Sequence, residues 1–470
     1  MNIRDDFILK DIHEGYLVGG YVRDHILGIN TDIKDRDIAI KGAEQFAKKL
    51  ADAYDATFIV LDGENKIFRV VLPDKENYLD ISELRGDVIE DDLIQRDFTI
   101  NAIAYDLAND KFIDTTGGVE DIKNKKLRSV DENNFTDDPL RVLRAFRFMA
   151  TLGFEPDEEL TDILKKHLHL IKKPAAERIH DEIMKLFGGK YASKTLLKMY
   201  EIGLLELIFP CVMDIKKIPP NSHHHLDLIH HVIETVRQIE IQYEGLELPL
   251  TPNPSPTRGE GNFVREHLDS VDFGGYPRVN HLKLAAFLHD IGKPSTWTIE
   301  ESGRHRFIKH DLEGAKLVVP LLKDLKFSNK QIDYISEMIR QHIYPSSVIS
   351  SPNFDSKVMM RFVRKMEDNV IDIIFLARAD RLSAQGEAVT KEMTENNIKG
   401  LNKLLDFYLE VKPTLKPLPK LLDGNEIMKI LNIKQSPVLG KIINELKEAQ
   451  INGDVNTREE AVEFVKNAAI

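Results

Sequence analysis

The apolar residues of this chain change their spacing once, near Pro139, and that change limits the fold more than any other feature. Between about residues 15 and 115, short apolar runs are broken by Gly and Asp. After Pro139 they recur every three or four residues almost to the end. Tyr16-Leu17-Val18, Asp37-Ile38-Ala39-Ile40, Thr57 to Val60, Phe68 to Leu72 and Tyr78 to Ile81 read as strands, with helical spacing from Glu44 to Tyr54 between them. Helices are expected over Arg141–Leu152, Asp157–His167, Ala175–Phe187 and Lys194–Leu205, punctuated by Gly153, Pro174, Gly188-Gly189 and Pro210. The fold class is therefore α+β, a small mixed α/β head followed by helices. A chain of 470 residues has room for several such units at about 100–200 residues each.

Composition removes whole classes of function. One cysteine excludes a disulfide framework and a cysteine-rich zinc site, and points to a reducing, cytoplasmic compartment. No uncharged apolar run approaches the ~18 residues of a membrane span, and the acidic start Met-Asn-Ile-Arg-Asp-Asp is unlike a signal peptide. The formal charge of −13 argues against an unspecific basic coat for nucleic acid, while leaving room for a local basic cleft. Residues 249–262 contain four prolines and no periodicity, and are expected to form a solvated loop without chemistry.

Two clusters carry chemistry. The first is Leu17-Val-Gly-Gly-Tyr-Val-Arg-Asp24 followed by Asp35-Arg-Asp-Ile-Ala-Ile40. Gly19 and Gly20 let the backbone approach a ligand and aim N–H groups from a helix start, an arrangement that cradles phosphate. Arg23 can add a charged fork. Asp35 and Asp37 are two apart, so on a strand they share a face. Paired carboxylates beside a phosphate cradle suit Mg2+ and phosphoryl transfer. The same residues also fit a strand-to-helix turn with solvated acids. Further on, Asp138 before Pro139 is a helix-start signal, and Arg141, Arg144 and Arg147 share one face. That stripe also fits a capped, solvated helix.

Taken in order, these segments resemble the bacterial-type tRNA nucleotidyltransferase and poly(A) polymerase family. Leu-Val-Gly-Gly-x-Val-Arg-Asp with Asp-Arg-Asp-Ile-Ala resembles its first motif. Arg96-Asp-Phe-Thr-Ile-Asn-Ala-Ile-Ala-Tyr-Asp106 resembles the ribose and triphosphate motif, and Asp114-Thr-Thr-Gly-Gly-Val-Glu-Asp121 the hinge. Asp137-Asp-Pro-Leu-Arg-Val-Leu-Arg-Ala-Phe-Arg-Phe148 resembles the base-reading motif, and Glu177-Arg-Ile-His-Asp-Glu182 its support. The resemblance implies a nucleotidyltransferase head at 1–135, a helical neck at 136–215, a third domain at 216–411 and a C-terminal module at 412–470 that holds tRNA. It implies that Asp35 and Asp37 bind Mg2+, with Asp80 as a third catalytic carboxylate or a surface acid. It places Gly19, Gly20, Arg23, Arg96, Asp97 and Asn101 on the nucleotide's phosphates and sugar, and Asp138, Arg141 and Arg144 on its base. A carboxylate accepting from the exocyclic amine and a guanidinium donating to the ring nitrogen select C and A over U and G. The implied substrates are the tRNA 3′ end, CTP and ATP, with no membrane involved.

Only ten residues, Gly86 to Gln95, separate Arg85 from Arg96. In this family a short segment here is associated with enzymes that add only the two cytidines of the CCA tail. Addition of the whole tail and poly(A) synthesis are the other products the family offers.

The second cluster is His223-His-His225 with His230-His231, then His289-Asp290-Ile-Gly-Lys293, Lys309-His310-Asp311, His342 and Asp380. Imidazoles with carboxylates suit a divalent transition metal with an open water position. His231, His289, Asp290 and Asp380 resemble the HD-domain phosphohydrolase pattern, and His310 and His342 match the added ligands of two-metal HD sites. Lys293 is a phosphate contact in that resemblance. Its implied substrates are phosphomonoesters or 2′,3′-cyclic phosphates at RNA ends. An HD phosphohydrolase with an RNA-gripping N-terminal half is the alternative whole-chain reading. The run His223–His225 is expected to be a solvated helix start.

Overall fold

A computed structural model describes residues 3–29, 35–246 and 260–468. It divides into two compact units, residues 1–208 and 209–470.

The described residues of the first unit build a seven-stranded mixed sheet from β1 (Tyr16–Val18), β2 (Asp35–Ile40), β3 (Thr57–Asp62), β4 (Ile67–Val71), β5 (Tyr78–Glu83), β6 (Ala104–Asp106) and β7 (Lys111–Ile113). Their order is β3-β4-β5-β2-β1-β6-β7. β2 and β5 run parallel and the other neighbours antiparallel. The helix Ala43–Tyr54 buries Ala43, Phe46, Ala47, Leu50 and Ala51, the 3–4 spacing of an amphipathic stripe. It packs on β4 and β5. Each large side chain buried this way contributes about 1.5–3 kcal/mol. Alternation then leaves Asp37 and Asp80 on the face away from Ile38, Leu79 and Ile81, which are fully buried.

The helix Arg141–Leu152 follows, buries Val142, Leu143, Ala145, Phe146, Phe148, Met149 and Ala150, and ends on left-handed Gly153. Its start differs from expectation. Asp138 is extended and its Oδ1 accepts from the Leu140 N–H, closing a turn before the first helical residue. A single helix over Lys194–Leu205 is also corrected. Gly203, with φ of +82°, separates Ala192–Glu201 from Leu204–Ile208.

The described residues of the second unit are helical apart from a hairpin of β10 (Trp297–Ile299) and β11 (His305–Phe307), numbered after the two-residue strands β8 (Lys126–Leu127) and β9 (Glu155–Pro156). Val370–Ser383 is apolar on nearly every side and packs against Leu228–Gly245, Arg278–Leu288 and Asn329–Gln341. Most of the proline-rich stretch lies outside the described residues. Its last three, Glu260 to Asn262, begin the helix Glu260–Asp269 rather than a loop. The C-terminal helices Gly424–Leu431, Pro437–Asn452 and Arg458–Ala468 close on Ile427, Leu446, Ala461 and Val465.

Candidate active site and metal cluster

In the head, Gly19 has φ of +73°, a conformation that favours glycine, and ends β1 at the first residue of the helix Gly20–Leu27. A Cβ on Gly19 would lie 3.1 Å from Asp37 Oδ2 and 3.6 Å from Arg96 Nη1. A backbone turn, a carboxylate and a guanidinium thus converge. Asp35 opens β2 one pleat before Asp37, paired with Tyr78. Arg23 donates from Nη1 to Asn101 Oδ1 at 2.8 Å, and its Nε lies 2.8 Å from Asp24. Its guanidinium also lies 5.2 Å from the centre of the Phe148 ring.

Three expected contacts take different partners. Asp80 stands beside Asp37 in register, yet Arg69 holds both its oxygens at 2.7 Å. That fork engages both carboxylate oxygens of Asp80 with a neighbouring guanidinium. Asp97 is buried, its Oδ1 accepting from Phe98 N–H and Asn101 Nδ2 and its Oδ2 from Arg144. Burial opposes its charge, but Arg144 and Asn101 outweigh it and hold the carboxyl well below the usual range. Arg144 spans Asp97 at 2.6 Å and Glu182 at 3.5 Å, and Arg147 binds Glu182 at 2.8 Å. Asp97 and Arg144 therefore occupy each other, where contacts to sugar and base were expected.

Arg141 is different. Its Nη2 donates to Gln95 O at 2.8 Å, while its Nη1 is buried with no hydrogen-bond partner among the described residues. Asp138 accepts from Arg178 at 2.7 Å and stays partly open. The loop that carries Arg96 is pinned from this side, since Asn134 Nδ2 donates to Ile94 O and Arg96 O. The short segment before it is folded. Ile89–Leu93 is helical, Asp91 caps the N–H groups of Asp87 and Val88, and Asp92 holds Arg96.

In the second unit, helices bring the histidines and aspartates together. One ligand atom each from His231, His289 and Asp380 lies within 4.8 Å of the others, as does one each from His289, Asp290 and His342. His231 Nε2 is 3.2 Å from Asp380 and 3.4 Å from Asp290. His310 Nε2 is 3.3 Å from Asp290 Oδ1 and 3.1 Å from His342 Nε2. The Nδ1 atoms of His289, His310 and His342 face the carbonyls of Ala286, Phe307 and Ile339 at 2.6–2.8 Å. A carbonyl only accepts, so each Nδ1 carries a proton and each Nε2 faces inward, as a lone pair or, where carboxylates favour it as at His289, as a second N–H. Two lone pairs 3.1 Å apart repel unless a cation or proton lies between them. Nε2 of His231 and of His289 are also buried without a hydrogen-bond partner among the described residues. This donor set fits a divalent metal.

Charge within the cluster reflects the same crowding. Burial opposes protonation of His289, but Asp290 and Asp380 overcome it and raise its pKa to about 10. Burial, then His289 and His310, push His342 down to about 3. Asp290 and Asp380 are held well below the usual carboxylate range, burial notwithstanding, by the surrounding imidazoles and, for Asp290, Lys293. The Lys293 ammonium is 2.6 Å from Asp290.

Comparison with known proteins settles the lineage. Residues 15–128 match the Poly A polymerase head domain, 153–216 the probable RNA and SrmB-binding site of polymerase A, and 257–385 the HD domain. An A-adding tRNA nucleotidyltransferase of Deinococcus radiodurans is 30% identical over 459 residues, covering 96% of this chain and 95% of its own. The chain belongs to the tRNA nucleotidyltransferase and poly(A) polymerase family. As a member it is a nucleotidyltransferase that carries an HD domain. A CC-adding tRNA nucleotidyltransferase of Thermus thermophilus is 28% identical over 468 residues, with 98% and 95% of the two chains covered. The Thermotoga maritima CCA-adding enzyme, solved with tRNA, shares the fold at a TM-score of 0.53 and 22% identity, with 97% and 91% covered. No described helix is long and apolar enough to cross a membrane.

Sequence reasoning missed some residues that stand at these clusters. His224 is no solvated helix start. It lies edge-on to His231 at 4.5 Å, with Nε2 3.4 Å from Lys293, and burial followed by Lys293 lowers its pKa to about 2. The helix itself begins at Leu228 behind Asp227. Arg178, which holds Asp138, and Arg69, which holds Asp80, were also missed. Arg178 lies in the quoted neck motif and Arg69 alternates along a strand, but neither position reveals its partner.

Proposed function

We propose that this chain adds cytidines to the 3′ end of tRNA without a nucleic-acid template, stopping before the terminal adenosine. One observation carries this reading. The residues from Gly19 to Asp138 form a continuous path, in which Gly19 adjoins Asp37 and Arg96, Arg96 follows Gln95, and Gln95 holds Arg141 next to Asp138. A nucleotide lying along that path would have its phosphates at the glycine turn and its base at Asp138 and Arg141.

Within residues 1–135 we assign Asp35 and Asp37 to Mg2+, whose hard character suits carboxylate oxygens and which would polarise the α-phosphate. The Gly19 and Gly20 backbone, Arg23 and Arg96 take the triphosphate. The tRNA 3′ oxygen bonds to the α-phosphorus, the bond to pyrophosphate breaks, and pyrophosphate leaves. Asn101, Asp97 and Arg144 act as positioning residues, since each is spent on a neighbour. In the neck, 136–215, Arg178 fixes Asp138, which accepts from the cytosine amine while Arg141 Nη1 donates to the ring nitrogen.

Restriction to cytidine rests on the folded Gly86–Gln95 segment. Admitting a purine after a pyrimidine requires the pocket to remodel. This segment is tied by Asp91, Asp92, Asn134 and Arg141, so it favours one base size. The names of the relatives include A-adding, CC-adding and CCA-adding enzymes. The test uses tRNA transcripts lacking the tail or ending in CC, given CTP, ATP or both, with the 3′ ends sequenced. Arrest at CC, with no A added to the CC-ended transcript, supports the proposal. Adenosine added only to CC ends, a complete CCA, or long A tails each refute the restriction and name the alternative.

A second activity is favoured by the facing Nε2 atoms of His310 and His342. We assign His231, His289, Asp290, His310, His342 and Asp380 to divalent transition metal in a phosphohydrolase site for RNA ends, with 216–411 as its domain. The metal would supply hydroxide at neutral pH. Residues 412–470 are assigned to tRNA contact, and the cytoplasm to both activities.

A further inference from the structure

Between Asp290 and His310 the chain forms the short helix Lys293–Thr296 and the β10–β11 hairpin. Both ends of the hairpin are thus tied to assigned metal ligands. The hairpin walls a cleft of about 300 Å3 that Asp290, His310, His342 and Asp380 also line. That volume lies at the low end for ligand sites, enough for roughly one nucleotide unit.

The cleft carries cations at two depths. Lys293 is deep, its side chain 8% exposed and its ammonium against Asp290. Arg304 is exposed at the rim, and its guanidinium has no partner among the described residues. Arg306, beside it, is already paired with Glu300 at 2.7 Å. His305 Nδ1 and Trp297 Nε1 are buried without hydrogen-bond partners among the described residues, and their rings lie 5.5 Å apart. An incoming acceptor would satisfy Trp297 Nε1, and a polar ligand group would satisfy His305 Nδ1.

We infer that the β10–β11 hairpin is the recognition wall of the HD cleft and that its ligand is the phosphorylated end of a polynucleotide. The terminal phosphate lies by Lys293 and the metal ligands, and the preceding phosphate meets Arg304 as the chain leaves a cleft sized for one nucleotide. A free mononucleotide has no second phosphate for Arg304. This inference rests on the phosphohydrolase reading of the HD site.

Trp297 is the single tryptophan of the chain and packs on a cleft residue, so its fluorescence reports occupancy directly. The full chain loaded with Mn2+ is titrated with cytidine bearing a 3′ phosphonate, the ester oxygen replaced by CH2 to prevent hydrolysis. The same group at the end of a dinucleotide is titrated in parallel. The dinucleotide is expected to bind roughly fivefold tighter, the upper end for an exposed charge pair. Arg304→Gln erases the difference, Arg304→Lys restores part of it, and Arg306→Gln leaves it intact. Equal binding of the two probes, or a preference that survives Arg304→Gln, overturns the inference. Phosphate release from cytidine 3′-phosphate is measured separately. Release without a dinucleotide preference overturns the hairpin's role alone, whereas neither release nor a fluorescence change removes the phosphohydrolase reading as well.

Discussion

Replacing Arg141 with methionine should damage function while leaving stability almost untouched. Methionine keeps the apolar stem of the side chain and removes the guanidinium. The protein loses the bond from Nη2 to Gln95 O, a charged hydrogen bond contributing about 1.5–3 kcal/mol. It also sheds Nη1, a buried donor without a partner, whose desolvation costs about 1–3 kcal/mol. Burial already disfavours the charge there, ahead of the compensating fields of Asp97 and Asp138. The two effects nearly cancel, so the unfolding free energy should move by no more than about 1 kcal/mol. The base contact has no such offset. Its loss should raise the barrier by about 1–3 kcal/mol, a fall of roughly 5- to 150-fold in kcat/KM for CTP. Initial rates of cytidine addition to a tail-less tRNA, run beside a urea melt and with UTP as competitor, read both quantities. Discrimination against UTP should shrink with the rate. A melt displaced by more than about 3 kcal/mol, or a kcat/KM within twofold of the parent, would refute the assignment of Arg141 to the base.

Other outcomes follow from the same geometry. Asp97→Asn leaves Arg144 with Glu182 at 3.5 Å and should cost about 3–5 kcal/mol, as breaking a buried ion pair does. Because the folded pKa of Asp97 lies below the unfolded value, its contribution is full above roughly pH 4 and fades as pH falls below that. The variant should therefore show a flatter acid branch in urea midpoint against pH, and an unchanged slope would count against the pairing. Asp37→Asn should abolish nucleotide addition, whereas Asp80→Asn should keep it within about tenfold, since Arg69 already occupies that carboxylate. Equal losses would return Asp80 to the catalytic set. Saturating Mn2+ should raise the thermal midpoint of the full chain, because an ion bound by the folded state alone stabilises it. A midpoint indifferent to the ion would sink the metal assignment.

Much of the fold was legible because it depends on neighbours in sequence. The strand over Asp35–Ile40, the helix over Arg141–Leu152 and its stop at Gly153 follow from alternation, 3–4 spacing and a left-handed cap. The candidate site was legible as a set of residue types in order. Its internal bonds were not, because Arg144 finds Asp97 across 47 residues and Arg178 finds Asp138 across 40. His224 failed as an expectation for the same reason, since its surroundings come from Lys293, 69 residues away. The break at Gly203 was missed because a single glycine in a helical pattern is compatible with either continuation or a stop.

By itself, then, the order of residues determined the class of architecture, the placing of Asp35 and Asp37 on one strand, and the family. These depend on backbone geometry that repeats every two or 3.6 residues. Only the tertiary structure decided which charged groups are spent and which remain open. Asp80, Asp97 and Arg144 are engaged by partners, Arg141 keeps a bare Nη1, and the Nε2 atoms of His231, His289, His310 and His342 gather around Asp290. The reason is electrostatic. A buried charge takes its state from whatever stands within a few ångströms, and that neighbour is chosen by packing between segments far apart in the chain.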